Sequence, residues 1–355
     1  MQTEKSLNHK ELIHEFRSTF HNFRFIPRIS FLIFFLLTPA SLSLALDWRE
    51  YPAVRDFIDY MVDKHNFSPD ELHYIFRRAE IREKVIAGMD SPREAVPWHI
   101  YRQQFVTVFG ARRGAKFWNK YSRSVDSAAD QYGVAPEIIV AIIGVESQYG
   151  HNTGRFRVID SLSSLAFDYP RRSKVFKKEL EEFLLLAREL GVSPLSIKGS
   201  YAGAMGYPQF LPSSYRDYAV DFNNDGHIDL LSTAEDAIGS VGNYFKVHGW
   251  EKDEPVVDLI STSGPVEPWL LTLDIKPRLT IANLAYYNIK PMKYDAPGRK
   301  AALIKLEGKN GKILRLGFNN FYVITRYNKS VNYAMAVFEL SQMIKNQQQR
   351  TNKIK

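Results

Sequence analysis

Cysteine is absent from all 355 residues. That removes disulfides, thiolate metal sites, a cysteine nucleophile and a lipid-bearing N-terminal cysteine, although it names no compartment by itself. The nine histidines show no HExxH spacing, so none is assigned a catalytic task. No Lys/Arg-rich block stands out beyond Arg171 to Lys178, which leaves nucleic acid without a specific signal. The run Gly199-Ser-Tyr-Ala-Gly-Ala-Met-Gly206 lacks the Gly-Lys-Ser/Thr ending of a phosphate loop, and no clear strand pattern precedes it. There is no internal repeat.

What is present suits a folded chain of one large or two modest domains. Apolar residues make up 45% and charged residues 24%, enough for a core with an ordinary surface. Aromatic residues reach 13%, sufficient to line a groove for flat or ring-shaped ligands. The formal charge is +8, and +6 without residues 1–45, which favours an anionic partner such as nucleic acid, anionic lipid or an acidic polymer. At the N-terminus, Arg24 and Arg28 precede an apolar run from Ile29 to Leu37, and Ser43-Leu44-Ala45 has the small-x-small form of a cleavage site. Residues 1–45 therefore read as a secretory signal with a long n-region. An uncleaved signal anchor is the alternative, because the apolar stretch approaches spanning length. Either way the remainder is expected outside the cytoplasm.

The single most informative position is Glu146. It follows eight apolar or glycine positions, Ile138 to Val145, in a segment that Pro136 can open as a helix and Gly150 can stop. Burial and the C-terminal end of the helix dipole both disfavour the carboxylate, so Glu146 is expected to hold its proton well enough to serve as a general acid. On this segment alone, a structural Glu that pairs with an arginine or caps a loop stays open.

Helical periodicity runs through residues 47–90, with Ser68-Pro69 opening the second helix, and through Tyr101 to Tyr132. Ser91 to Pro97 is a connection. Ser173 to Leu190 is amphipathic, with Ser173 expected as N-cap and Gly191 as stop. Between residues 251 and 325 the pattern changes: Val256-Val257, Leu270 to Leu273, Leu303 to Leu306, Ile313 to Leu316 and Tyr322 to Thr325 read as strands, with a hairpin turn at Gly308 to Gly311. Val331 to Met343 returns to helix, and Asn346 to Lys355 is a polar tail expected to fray. The class is mainly α with a small β unit.

A second chemical signal is Asp221-Phe-Asn223-Asn-Asp225-Gly226-His227-Ile-Asp229, which fits the first nine positions of an EF-hand loop. Asp221, Asn223 and Asp225 fall at alternate positions, Gly226 allows the sharp turn, and His227 would offer its carbonyl. Ser232 stands at position twelve in place of the usual Glu, so Glu235 or Asp236 must supply the last ligand. The alternative is a solvated Asx-rich turn.

Several segments in order resemble the membrane-bound lytic murein transglycosylase B family: Pro97-Trp98-His-Ile-Tyr101-Arg102, Gly144-Val-Glu146-Ser-Gln-Tyr-Gly150, Val158-Ile-Asp160 through Arg171-Arg172, Gly199 through Tyr215, the Asp221 loop, and Asp236 through Phe245. The resemblance spans roughly residues 50–340. It implies an α+β protein, with a lysozyme-like α core, an added helical region and a small antiparallel β region, acting on peptidoglycan glycan strands. On that reading the chain divides into a signal at 1–45, a helical region at 46–135, and a catalytic core at 136–250 holding the loop at 221–236. A β region at 251–325, a returning helix at 326–345 and a tail at 346–355 complete it. The family's catalytic acid matches Glu146. Its substrate contacts match Tyr101, Arg171, Arg172, Ser200, Gln209, Phe210, Tyr244, Tyr327, Asn328 and Tyr333. Its metal ligands match Asp221, Asn223, Asp225, His227 and Asp236, with calcium as a structural ion and no cofactor for catalysis.

The family cuts the β-1,4 bond between N-acetylmuramic acid and N-acetylglucosamine and leaves a 1,6-anhydro ring, with one Glu as acid and then base. Ser200 and Gln209 are expected to hydrogen-bond glycan, and the small residues around them to let backbone approach it. Arg171 and Arg172 would hold substrate carboxylates, and Tyr244, Tyr327 and Tyr333 would stack on sugar. Tyr207 departs from the family pattern, where a polar amide is common. The missing lipid-bearing cysteine favours a soluble periplasmic form, or inner-membrane contact through an uncleaved N-terminus. Partners among cell-wall synthesis or remodelling proteins fit such an enzyme; nucleic acid does not. The competing readings are a hydrolytic muramidase and a non-catalytic wall-binding protein.

Overall fold

The structure is a computed structural model that describes residues 51–90 and 96–352. The signal reading at 1–45 and most of the connection at 91–97 therefore fall outside the described residues. Fourteen α-helices and seven short strands appear among those described. The helices before the first long loop are α1 (Pro52–His65), α2 (Pro69–Phe76), α3 (Glu83–Asp90), α4 (Trp98–Phe105), α5 (Val108–Lys120), α6 (Ser122–Tyr132) and α7 (Pro136–Ser147). Strand β1 (Phe156–Arg157) leads into α8 (Val158–Phe167) and α9 (Ser173–Glu189), and pairs antiparallel with β2 (Lys198–Gly199). Helices α10 (Pro212–Tyr218) and α11 (Ala234–Val247) flank the acidic loop.

A five-stranded antiparallel sheet follows, built from β3 (Val257–Thr262), β4 (Leu279–Thr280), β5 (Ile289–Pro291), β6 (Lys300–Gly308) and β7 (Gly311–Gly317) in the order β4-β6-β7-β3-β5. Helix α12 (Ile281–Tyr286) lies within it in sequence. Helices α13 (Asn319–Tyr327) and α14 (Val331–Asn352) return to the helical body. The sheet carries its own small core of Leu270, Ile281, Leu284, Ile289, Leu303, Leu316 and Phe318.

Helix α7 is central because its sequence leaves no polar face until Glu146. Every residue from Ile138 to Val145 is buried, as an all-round apolar helix requires, with α5, α6, α11 and α14 packed around it. Helix α8 is the opposite case, since its buried face carries polar groups. Asp160 is fully buried and accepts from Arg157 Nε at 2.9 Å, Arg82 Nη2 at 3.2 Å and the Glu80 backbone N–H at 3.1 Å. One carboxylate thus ties the segment between α2 and α3 to the core.

Several expectations need correction. Helix α7 stops at Ser147, not at Gly150: Gln148 (φ 52°) and Tyr149 (φ 63°) both turn left-handed, and the Tyr149 N–H reaches back to Ile143 O at 3.1 Å. The Tyr149 ring folds over Gly144, where any Cβ would lie 2.6 Å from the phenol. Ser173 is not a cap. It is the first helical residue of α9, and its hydroxyl donates to Ala166 O at 2.5 Å. Leu270 to Leu273 is not a strand, because Pro268 opens a 3-10 turn over Pro268–Thr272 that plugs Leu270 into the sheet core. Tyr322 to Thr325 is helical, within α13. Burial at Asn320, Phe321, Val323, Ile324 and Thr325 follows a helical stripe that four β-branched or aromatic letters disguised. The polar tail does not fray at Asn346. Helix α14 continues to Asn352, held by Ile344 in the core and by Gln348, whose Nε2 donates to Asn119 at 2.8 Å.

Replacing Asp160 with Asn removes the buried one of the two carboxylates, Asp160 and Glu80, that Arg82 and Arg157 share, and one of its two acceptor oxygens. The expected loss is about 2 kcal/mol, discounted for the partial exposure of both guanidinium groups. Urea unfolding checks it; a midpoint equal to wild type would show that the joint contributes nothing.

Candidate active site

Glu146 sits half-buried on the last turn of α7, where three other segments converge. From α14, the Tyr333 hydroxyl donates to Glu146 Oε1 at 2.5 Å. Tyr333 is 2% exposed, and burial first, then the Glu146 charge, pushes its phenol well above the ordinary value. Tyr333 therefore stays a proton-bearing donor at any working pH. Tyr101 of α4, itself 2% exposed, is close enough to add to that upward push. Tyr327, at the end of α13, lies nearly parallel to Tyr333 with ring centroids 6.4 Å apart, and it feels the same carboxylate.

The loop carrying Ser200 to Phe210 is pinned to this junction by backbone acceptors. Ser147 Oγ donates to Tyr207 O at 2.7 Å and receives the Gly150 N–H at 3.0 Å. The Tyr327 hydroxyl donates to Pro208 O at 2.5 Å. Gln209, itself left-handed at φ 50°, donates from Nε2 to Thr153 O at 3.0 Å and Gly206 O at 2.9 Å. Its amide nitrogen is thus occupied with holding the loop, and its Oε1 is the group left for a ligand. Ser200 Oγ accepts from Ala202 N and Ala204 N, so it too serves the loop's shape. The glycines here make room for protein rather than for glycan. A Cβ on Gly206 would sit 2.1 Å from Leu230 O, and one on Gly203 would sit 2.4 Å from Leu162.

The remaining expected contacts divide. Phe210 (2% exposed) and Tyr244 (6% exposed) are core residues whose rings pack on Tyr327 at 5.7 and 4.8 Å. Tyr244 also stacks on His248 at 4.0 Å and donates to Arg326 O, so it supports the wall behind Tyr327 and offers sugar no free face. Asn328 is half-buried and accepts the Ser330 N–H at 3.1 Å, shaping the turn between α13 and α14. Arg171 and Arg172 lie on the exposed 3-10 turn Pro170–Arg172. Arg171 pairs with Asp90 at 3.3 Å and Arg172 lies over the Phe176 ring. Sequence patterns gave no warning of Ser147 or Tyr149. Their hydroxyls reach acceptors 60 and 39 residues away, Tyr207 O and Gly110 O, and no local spacing marks those contacts.

In the acidic loop, Asp221 accepts the Asp225 and Gly226 N–H groups at 3.1 and 2.8 Å, and Asp225 accepts the His227 N–H at 2.9 Å. The Asn223 side chain, and then the His227 N–H, hold the Asp225 carboxyl below its usual value. Asp236 is fully buried and takes N–H bonds from Phe222, Asn223 and Asp229, so Asp236 rather than Glu235 closes the loop. Burial pushes its carboxyl up. Among the described residues no three Asp, Glu, His or Cys side chains converge as a metal cluster. The donor chemistry still fits a hard cation: all candidate ligand atoms are oxygens, and each carboxylate oxygen that accepts a single N–H retains a lone pair.

A half-buried carboxylate thus stands at a helix end, met by a buried phenol and backed by aromatic rings, within a lysozyme-like fold. Residues 49–342 match the model of the transglycosylase SLT domain. The chain belongs to that family of lytic transglycosylases, enzymes that act on peptidoglycan. It is 42% identical over 322 residues to membrane-bound lytic murein transglycosylase B of Escherichia coli, covering 87% of this chain and 88% of that protein. The structure of E. coli lytic transglycosylase Slt35 in complex with calcium aligns at a TM-score of 0.79 and 43% identity, over 85% of this chain and 95% of that one. SltB3 of Pseudomonas aeruginosa, solved in complex with NAG-NAM-pentapeptide, aligns at 0.75 and 27% identity, over 84% and 80%.

Tyr333→Phe removes the donor to Glu146 and keeps the ring packed. A fall in kcat of about ten- to a hundredfold with little change in KM is expected in a peptidoglycan turbidity assay. An unchanged kcat would show that the hydrogen bond is ornamental to turnover.

Proposed function

We propose that the chain is a periplasmic lytic transglycosylase in which Glu146 alone does the proton chemistry. The observation that carries this reading is the meeting of Glu146 with Tyr333 at 2.5 Å on the half-buried end of α7. Ordinary glycosidases place two carboxylates across the bond; here one carboxylate is matched with a neutral donor. Glu146 gives its proton to the oxygen of the β-1,4 bond between N-acetylmuramic acid and N-acetylglucosamine. The 2-acetamido group of the sugar supports the positive charge at C1. Glu146, now anionic and held by the Tyr333 hydroxyl, takes the proton from the C6 hydroxyl as that oxygen closes on C1, and the 1,6-anhydro ring forms. No water is consumed, and the intramolecular nucleophile wins because it is already in place. Tyr101 and Tyr327 flank the reacting pair, and Gln209 offers its Oε1 to the sugar.

Two further features belong to this reading. Residues 1–45 direct export, in keeping with a substrate outside the cytoplasm. The loop from Asp221 to Asp236 holds a calcium ion through Asp221, Asn223, Asp225, the His227 carbonyl and Asp236, supported by the oxygen-only donor set and by the calcium complex of the E. coli relative. The ion's part is to hold the loop between α10 and α11, and no step of the reaction runs through it.

Glu146→Gln keeps the shape and removes the transferable proton. Mass spectrometry of digested sacculi should show anhydro-muramoyl ends with wild type and at least a thousandfold fewer with the variant, a loss of the size expected for a group that serves as both acid and base. Reducing ends in place of anhydro ends would instead establish a hydrolytic muramidase. Calcium at about a hundred times its dissociation constant should stabilise the protein by about 2.7 kcal/mol, raising Tm by several degrees. Asp225→Ala should abolish the rise, and a Tm indifferent to calcium and chelator alike would rule the ion out.

A further inference from the structure

Beside the active-site loop lies a cavity of ≈ 500 Å³ that the catalytic reading does not use. One wall is a stripe of α5: Arg113, Lys116 and Lys120 stand at i, i+3 and i+7, on one helix face. The other walls are rings, those of Tyr121, Tyr149 and Tyr207. Among the described residues these three cations form no ion pair, whereas Arg82, Arg102, Arg157, Arg216 and Arg299 each have a carboxylate partner. Arg113 instead donates to Gln148 O at 2.8 Å and lies 5.8 Å over the Tyr149 ring. Lys120 lies 4.6 Å over Tyr121, whose hydroxyl holds it protonated. Glu235 acts on Lys120 and on Tyr207 from a distance, without pairing.

The cavity adjoins Glu146 through covalent structure. Gln148, Tyr149 and Gly150 are the turn that ends α7, and Tyr207 is the residue whose carbonyl Ser147 holds. Gly150 is required there, because a Cβ would fall 2.1 Å from the Tyr207 ring. Tyr149 and Gly150 of its lining thus follow Glu146 within four residues, and the concave site offers unneutralised cations beside aromatic faces. A flat or convex basic surface would suit an anionic membrane. A pocket suits a short branch ending in carboxylate, such as the peptide that muramic acid carries in the substrate bound by the P. aeruginosa relative.

We propose that this cavity binds a peptide carboxylate of the substrate's stem, with Lys116 and Lys120 as the charged contacts and Tyr121 and Tyr207 packing on the peptide. The proposal rests on the transglycosylase reading, since it takes the branch from the same glycan. It makes Tyr207 a part of peptide recognition.

The test measures binding without turnover. In the Glu146→Gln background, cosedimentation with purified sacculi gives affinities for native wall and for wall whose carboxyl groups have been amidated with carbodiimide and ammonia. The Lys116→Gln, Lys120→Gln double substitution should weaken binding to native wall about tenfold. Amidation should weaken the parent to the same degree, and the two together should cost no more than either alone. Two independent, additive losses, or no loss from the double substitution, would overturn the proposal. So would capture on phosphatidylglycerol vesicles that the double substitution abolishes while wall affinity is untouched, since the site would then be a membrane contact. Anhydro product still formed by Glu146→Gln would sink the catalytic reading alone and leave the binding comparison standing.

Discussion

A hydrogen bond between side chains 187 residues apart, from Tyr333 to Glu146, is the constraint around which this molecule is arranged. To hold a phenol within 2.5 Å of a carboxylate, α14 must lie along α7, and it does so by packing on α4, α5 and α7 together. The phenol must also be unable to leave its place. Burial and the parallel ring of Tyr327 provide that, and Tyr327 is in turn tied to Pro208 O and backed by Phe210 and Tyr244. The aromatic wall that first suggests sugar stacking is, for its inner members, a support that fixes the geometry of one proton donor.

The glycine-rich loop plays a matching part on the other side. Its hydroxyl and amide groups are largely committed to its own backbone and to the turn after α7. The loop is stiff because Ser200, Gln209 and Ser147 spend their hydrogen bonds inside the protein. A rigid loop lowers the entropy lost when a ligand settles against it.

Much of the helical body was legible because its signals are local. Ser68 caps α2 by accepting the Glu71 N–H, and the buried core of α7 announces itself in eight letters. Gly308 and Gly311 face each other at the hairpin end of β6 and β7. What failed were short apolar runs, Leu270 to Leu273 and Tyr322 to Thr325, where strand and helix differ only by what lies opposite. Glu146 stood out because a charge at the end of an apolar run is costly. Tyr333 could be suspected only through family resemblance, and its role as donor to Glu146 could not be read at all, since periodicity says nothing about partners on a distant helix. The same holds for Ser147, whose acceptor is 60 residues on.

The order of parts along the chain has a consequence for when this protein can act. Synthesis delivers the carboxylate first, on α7, and its phenol partner only with the last helix. A nascent or truncated polypeptide that ends before α14 carries Glu146 without the Tyr333 hydroxyl that meets it, and lacks the helix that packs along α7 as well. The junction is thus completed last, and fragments shed along the way are without it.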